Sequence, residues 1–226
     1  MFNIFFLLWQ KYLKPEVLMK DHMYFTSLIL AGGKAERLDN HEKALLLLDS
    51  TPLLKVIMDS LKTVSSEIIV SLRDESQRDL LFPLLQDSTV VFDSFKGKGP
   101  LAGIIEGFKA SSHEYVFVTA CDMPFVNVKV IDYLFNAAQG HDAALIRNSD
   151  GRFQSIYAFY RAKAMIPLIE KCLDEGKNFI LAPVFELNDV VAVDISKIRK
   201  IDPKLKCLVN INTLQDLKKT GISIAD

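Results

Sequence analysis

Lys34, Arg37 and Lys43 follow a turn of small residues, Ala31-Gly32-Gly33. Fixed positive charge and the exposed N–H groups of a glycine turn both favour an anion, and phosphate in particular. Glycine also lets the backbone approach a ligand closely. Two carboxylates stand at comparable places further on, Asp93 after the apolar run 89–92 and Asp122 after the run 115–119. Asp122 precedes Met123-Pro124, where an aspartate either shapes a turn or holds a metal. Mg²⁺ takes one or two carboxylates together with phosphate oxygens, so cations and carboxylates on one edge point to Mg²⁺ bridged to a nucleotide. The common phosphate loops do not fit. After Gly32 and Gly33 there is neither the second glycine with Lys-Ser/Thr of a Walker loop nor the third glycine of a dinucleotide fingerprint.

These groups must be presented by elements that the hydropathy pattern outlines. Residues 25–30 read as a buried strand ending in the glycine turn, and 43–48 as a second apolar patch. Ser50-Thr51-Pro52 reads as a helix start, with a hydroxyl to cap and proline in the first turn, ahead of helical spacing over 53–64. A strand at 68–70, a helix at 74–85 and a strand at 89–92 follow. Gly97, Gly99, Pro100 and Gly103 form a flexible turn into a helix whose first N–H groups can face an anion. Then come a strand at 115–119, a helix at 130–138 and a strand at 143–146. Asp150-Gly151 signals a hairpin into a strand at 154–160. A helix at 162–174, a strand at 190–193, a return to the sheet edge at 209–213 and a final turn at 216–220 before a frayed tail complete the chain. This alternation predicts an α/β fold: a Rossmann-like three-layer sandwich, its sheet mainly parallel but mixed, with helices on both faces. In such sheets ligands gather at the carboxyl ends of the strands.

The chain has 226 residues, enough for one domain, and a formal net charge of −1. That balance speaks against nucleic acid as a partner. Cys121, Cys172 and Cys207 are scattered and odd in number, as expected in a reducing cytoplasm rather than in a disulfide framework. Residues 1–22 read as a dispensable extension, with Met23 an ordinary starting point and 23–226 the single domain. The apolar run 2–9 is far shorter than the roughly 20 residues needed to span a bilayer, so no membrane association is expected.

Four segments in order, LAGGKAERLDNHEK, VFDSFKGKGPLAG, TACDMPFV and VNINTLQDL, resemble the signatures of the MobA-like nucleotidyltransferases, and within them the molybdenum cofactor guanylyltransferases. The first segment keeps Leu30, Ala31, Gly32, Gly33, Arg37 and Lys43 at the family spacing and departs from it at Ala35, Leu38 and Asp39. The resemblance implies the nucleotide-diphospho-sugar transferase-like fold and transfer of GMP from GTP to the terminal phosphate of the molybdopterin cofactor. It implies that Arg37 and Lys43 stabilise the triphosphate, that Asp122 anchors Mg²⁺, and that Leu30, Ala31 and Gly32 read the base through their backbone. Gly33, Asp93 and Gly99 fall in the family's nucleotide-contacting loops. Where the family often has asparagine after the second strand of the sheet, this chain has Ser71-Leu72-Arg73; Ser71 can keep a nucleotide hydrogen bond and Arg73 can add a phosphate contact. Asn210 and Asn212 lie on the metal and cofactor side in the family, or else one of them caps the last helix. Cys121 reads as strand packing. A molybdoenzyme or its chaperone is the implied recipient of product. A cytidylyltransferase, a transferase for another phosphorylated acceptor, and a non-catalytic nucleotide-binding relative stay open as alternatives.

Overall fold

The computed structural model describes residues 24–33, 41–94 and 99–224. The expectations placed on residues 1–22, Met23, Lys34, Arg37 and Asp39 therefore lie outside the described residues. Strand β1 (Thr26–Leu30) sits in the middle of the molecule, its first four residues buried. After the glycine turn, a single 3₁₀ turn (Lys43–Leu45) leads to two short strands, β2 (Leu47–Leu48) and β3 (Thr51–Pro52). Helix α1 (Leu53–Leu61) follows and turns Leu54, Ile57, Met58 and Leu61 inward at helical spacing. The expected hydroxyl cap is not formed: Thr51 and Pro52 pair as a strand, and Pro52 occupies the cap position without a side-chain hydrogen bond. Strand β4 (Glu67–Leu72) leads to α2 (Glu75–Leu81), capped by Asp74. Helix α2 stops short of the expected 85 because Pro83 has no N–H to give, and residues 82–84 tighten into a 3₁₀ turn.

Strand β5 (Thr89–Phe92), helix α3 (Pro100–Ala110), strand β6 (Tyr115–Ala120) and helix α4 (Val128–Ala138) continue the alternation. The hairpin expected at Asp150-Gly151 joins β7 (Ala143–Arg147) to β8 (Phe153–Arg161), with Gly151 at φ +86°. Helix α5 (Ala162–Asp174), the short α6 (Leu181–Val184), strand β9 (Val190–Asp194), α7 (Ile195–Ile201), α8 (Leu214–Thr220) and β10 (Ile222–Ser223) complete the described chain.

The main sheet has seven strands in the order β5-β4-β1-β6-β8-β7-β9. Strand β8 runs antiparallel to its neighbours β6 and β7, and the other pairings are parallel. One face of the sheet packs on α1 and α4 and the other on α3 and α5, which gives the expected three layers. Phe25, Phe117, Tyr157 and Phe159 interlock edge to face in the first core, Phe25 on Phe159 and Phe117 on Tyr157 each at 4.9 Å. Helix α3 lies close on the other face because Gly103 and Gly107 carry no Cβ: one on Gly107 would come within 2.5 Å of Leu28. The tail is not frayed through residue 223. Strand β10 pairs with β2, and a second antiparallel sheet, β10-β2-β3, closes over Leu46, Leu53, Ile211, Leu217 and Ile222.

The chain winds outward from β1 to β4 and β5, then crosses back to β6 on the other side of β1. The carboxyl ends of β1 and β6 thus flank a topological switch point, the place where open α/β sheets form a crevice.

Candidate active site

A cavity of about 400 Å³ opens at that switch point, large enough for a small-molecule ligand. Its floor is the end of β1. Backbone pairing runs past the strand on both sides, from Ala31 N–H to the Ser71 carbonyl at 2.9 Å and from Cys121 N–H to the Leu30 carbonyl at 3.0 Å. The chain then turns away through Gly32 and Gly33. A Cβ on Gly32 would meet the Arg73 nitrogen at 3.2 Å, whereas one on Gly33 would meet nothing among the described residues, and both glycines line the cavity. Opposite stands the start of α3. Gly99 has φ +68°, a conformation that favours glycine, and Pro100 takes the first helical position, where its missing N–H costs nothing. The first N–H groups of α3 therefore lie beside the cavity that Gly99, Pro100 and Gly103 line.

The charged centre is assembled from three distant segments. Lys43, at the start of the 3₁₀ turn, donates through Nζ to Asp122 Oδ2 at 2.9 Å and to Asn212 Oδ1 at 2.6 Å. The Lys43 and Asp122 side chains are only 13% and 19% exposed, so the pair feels a lower dielectric than a surface ion pair and is less screened. Ile211 N–H donates to the Asp122 carbonyl at 2.8 Å, which locks the 209–213 segment against the turn after β6. Of the two asparagines it is Asn212 that reaches Lys43. Thr213 caps α8 in a reciprocal capping box with Asp216, and Asn210 is exposed. Asp122 and Asn212 present an oxygen-only donor set, the kind hard divalent cations choose. Among the described residues no group of three or more His, Cys, Asp and Glu gathers as a self-sufficient metal site, so a cation held by Asp122 would need further oxygens from a ligand or from water.

Leu30, Gly32, Gly33, Lys43, Ser71, Asp93, Gly99 and Asp122, separated widely in sequence, all line this one cavity, as does Arg73. Ala31 does not: its side chain is fully buried, its N–H is held by Ser71, and its carbonyl accepts from Gln77 Nε2 at 2.9 Å. Cys121 also lines the cavity, but burial pushes its thiol well up, with the neighbouring Asp122 charge adding to it, which disfavours the thiolate a nucleophile needs. Two participants escaped the sequence reading. Ile156 lines the cavity next to Tyr157, which holds φ +68° where the β7–β8 register shifts. A bulky residue there is strained, and a bulge of this kind re-aims its neighbours. Gln77 is buried beneath the glycine turn; its only signal is a polar residue on the inner face of an amphipathic helix.

Comparison with known proteins bears on the family and the fold. The family model of the MobA-like NTP transferase domain matches residues 27–190. A Methanosarcina mazei protein named "Probable molybdenum cofactor guanylyltransferase" is 42% identical over 210 residues, covering 91% of this chain and 93% of the relative. A Desulfosudis oleivorans molybdenum cofactor guanylyltransferase is 28% identical and covers 88% of this chain and 95% of its own. Among solved structures, molybdopterin-guanine dinucleotide biosynthesis protein A from Archaeoglobus fulgidus superposes with a TM-score of 0.74 at 28% identity, over 86% of this chain and 96% of that one. With the glycine turn, Lys43 and Asp122 gathered at the switch point of a sheet that these relatives share, the chain belongs to the MobA-like NTP transferase family.

Proposed function

We propose that this protein transfers GMP from GTP to the terminal phosphate of the molybdopterin-bound molybdenum cofactor, releasing pyrophosphate and forming the guanine dinucleotide cofactor. The observation that carries the reading is the Lys43–Asp122–Asn212 cluster beside the glycine-turned cavity, in a chain whose relatives bear the guanylyltransferase name along nearly their whole length. An oxygen of the acceptor phosphate attacks the α-phosphorus in line. A new P–O bond forms as the bond from the α-phosphorus to the α,β-bridging oxygen breaks, and the electron pair leaves with pyrophosphate. The attacking oxygen is already anionic, so no side chain need act as nucleophile or base, and the protein's work is positioning and charge neutralisation.

Lys43 is placed to neutralise the triphosphate and the charge that grows on pyrophosphate, and Arg37 is given the same task by the family resemblance. The first N–H groups of α3 can add dipole donors on the opposite wall. Asp122, with Asn212 beside it, would hold Mg²⁺, which when bound supplies charge neutralisation at the phosphates. Leu30, Gly32 and Ser71 are assigned to the base, and Gly33, Asp93 and Gly99 to the rest of the nucleotide. Ala31 acts from below by holding the turn. No helix among the described residues is long and apolar enough to cross a membrane. The three cysteines are free and buried, which suits the cytoplasm, and a molybdoenzyme or its chaperone is the recipient we assign to the product.

Calorimetric titration with GTP, CTP and ATP in the presence of Mg²⁺ tests the donor, and pyrophosphate release with molybdopterin cofactor tests the acceptor. GTP is expected to bind at least about tenfold more tightly than CTP, a difference of about 1.4 kcal/mol. A preference for CTP would instead assign a cytidylyltransferase, and binding without turnover would assign a non-catalytic relative.

A further inference from the structure

We propose that Gln77 is a positioning residue that clasps both flanks of the cationic loop and so sets the spacing between the glycine turn and Lys43. Its side chain lies in α2, 1% of the residue exposed, yet none of its side-chain amide partners belongs to that helix. Nε2 donates to the Ala31 carbonyl at 2.9 Å and to Glu42 Oε1 at 3.0 Å, and Oε1 accepts from Arg73 N–H at 2.8 Å. The amide orientation is fixed by chemistry, because a backbone N–H can only donate and a carbonyl can only accept. Ala31 immediately precedes Gly32 at the head of the loop, Glu42 immediately precedes Lys43 at its foot, and Arg73 directly follows β4 on the cavity wall. One planar group thus ties three segments that must keep register for a triphosphate to meet backbone and ammonium together.

The surrounding charges are arranged to hold the clasp. Arg73 Nη2 lies 3.7 Å from Glu42 Oε2, and its Nε donates to Asp74 at 3.2 Å. Asp74 in turn accepts the Gln77 N–H at 2.8 Å, so the helix start that carries the amide is pinned as well. A glutamine satisfied at all of these atoms inside a protein is stiff, and stiffness here fixes where Lys43 begins.

This inference rests on the nucleotide-site reading above, and the test separates the two. Mg²⁺ and GTP are titrated calorimetrically into wild type, Gln77→Met, Gln77→Glu and the double variant Gln77→Glu with Glu42→Gln, and thermal midpoints are recorded without nucleotide. Methionine keeps length and removes the hydrogen bonds; the GTP Kd should rise about tenfold with stoichiometry unchanged. Glutamate turns an oxygen toward two acceptors and should weaken binding further, and the double variant, which restores a donor from position 42, should recover part of the loss. Variants that lower the thermal midpoint but keep the GTP Kd within about twofold of wild type would reduce Gln77 to a packing residue and overturn the clasp. A wild type that binds no nucleotide would overturn the functional reading, and the clasp with it.

Discussion

Strand β1 carries a partly buried polar cluster at each end, and the two are built on different terms. At the amino end, the Thr26 hydroxyl donates to Glu67, accepts from Ser111 Oγ at 2.6 Å and lies 3.1 Å from His113 Nδ1. Glu67 also accepts from Ser112 N–H at 3.0 Å. The groups satisfy one another, and the cluster joins the starts of β1 and β4 to the segment before β6. At the carboxyl end, Lys43, Asp122 and Asn212 also meet, but beside a cavity floored by glycine and backbone. Buried polar groups stabilise a fold when they close on each other; those ranged around an open volume are available to a ligand. Burial and hydrogen-bond counts alone would not tell the two clusters apart. The cavity beside Gly33, which Lys43 and Asp122 line, does.

That contrast can be broken by substitution, and the largest expected effect is at the open end. Asp122→Asn keeps the shape and removes the charge; turnover measured as pyrophosphate release should fall by about 10²–10³-fold while the protein stays folded. An unchanged rate would deny Asp122 a part in the reaction. Lys43→Met should raise the GTP Kd by about 10- to 100-fold, the loss expected for one or two charge-assisted hydrogen bonds to phosphate.

The two glycines of α3 sharpen the comparison within one helix. An added Cβ at Gly103 would lie 2.3 Å from Ser71 Oγ at the cavity wall, and at Gly107 2.5 Å from Leu28 in the core. Gly107→Ala should cost about 1–3 kcal/mol of stability in denaturant titration, as overpacking does, with nucleotide affinity kept. Gly103→Ala should lose both stability and affinity.

At the closed end, Thr26→Val should cost about 1–2 kcal/mol and leave GTP binding as it was. Burial pushes the Glu67 carboxyl up, but the hydrogen bonds from Thr26 and Ser112, with the charge of His113, outweigh it and hold the group below its ordinary value of 4.5. A depressed folded value contributes stability above the unfolded pKa, and that stability is lost as pH falls through about 4.5 and below. Urea midpoints taken from pH 6 down to pH 4 should drop less in Glu67→Gln than in wild type.

Much of this was legible in the chain, because it rests on local rules. Lys43 and Asp122 stand out as a cation and a carboxylate next to turn residues at apolar run ends, and the alternation of runs gave the layers. Three features were not legible, each for a physical reason. Strands β2, β3 and β10 are two residues long and too short to show a period. Gln77 and Ile156 are ordinary residue types in ordinary patterns, and their importance lies in what they touch. Asn212 had two equally good uses in sequence, and only the capture of the α8 cap by Thr213 frees it for Lys43.

The sequence by itself determined most of the longer strands and helices and which charges stand at their ends, since periodicity and turn chemistry act over a few residues; the short helices 181–184 and 195–201 and the two-residue strands escaped it. Only the tertiary structure decided that Lys43 meets Asp122 across 79 positions and Asn212 across 169. Those contacts depend on the crossover that carries β6 back beside β1 and on the tail that returns to pair with β2, and strand order is a property of the whole packed core rather than of any segment within it.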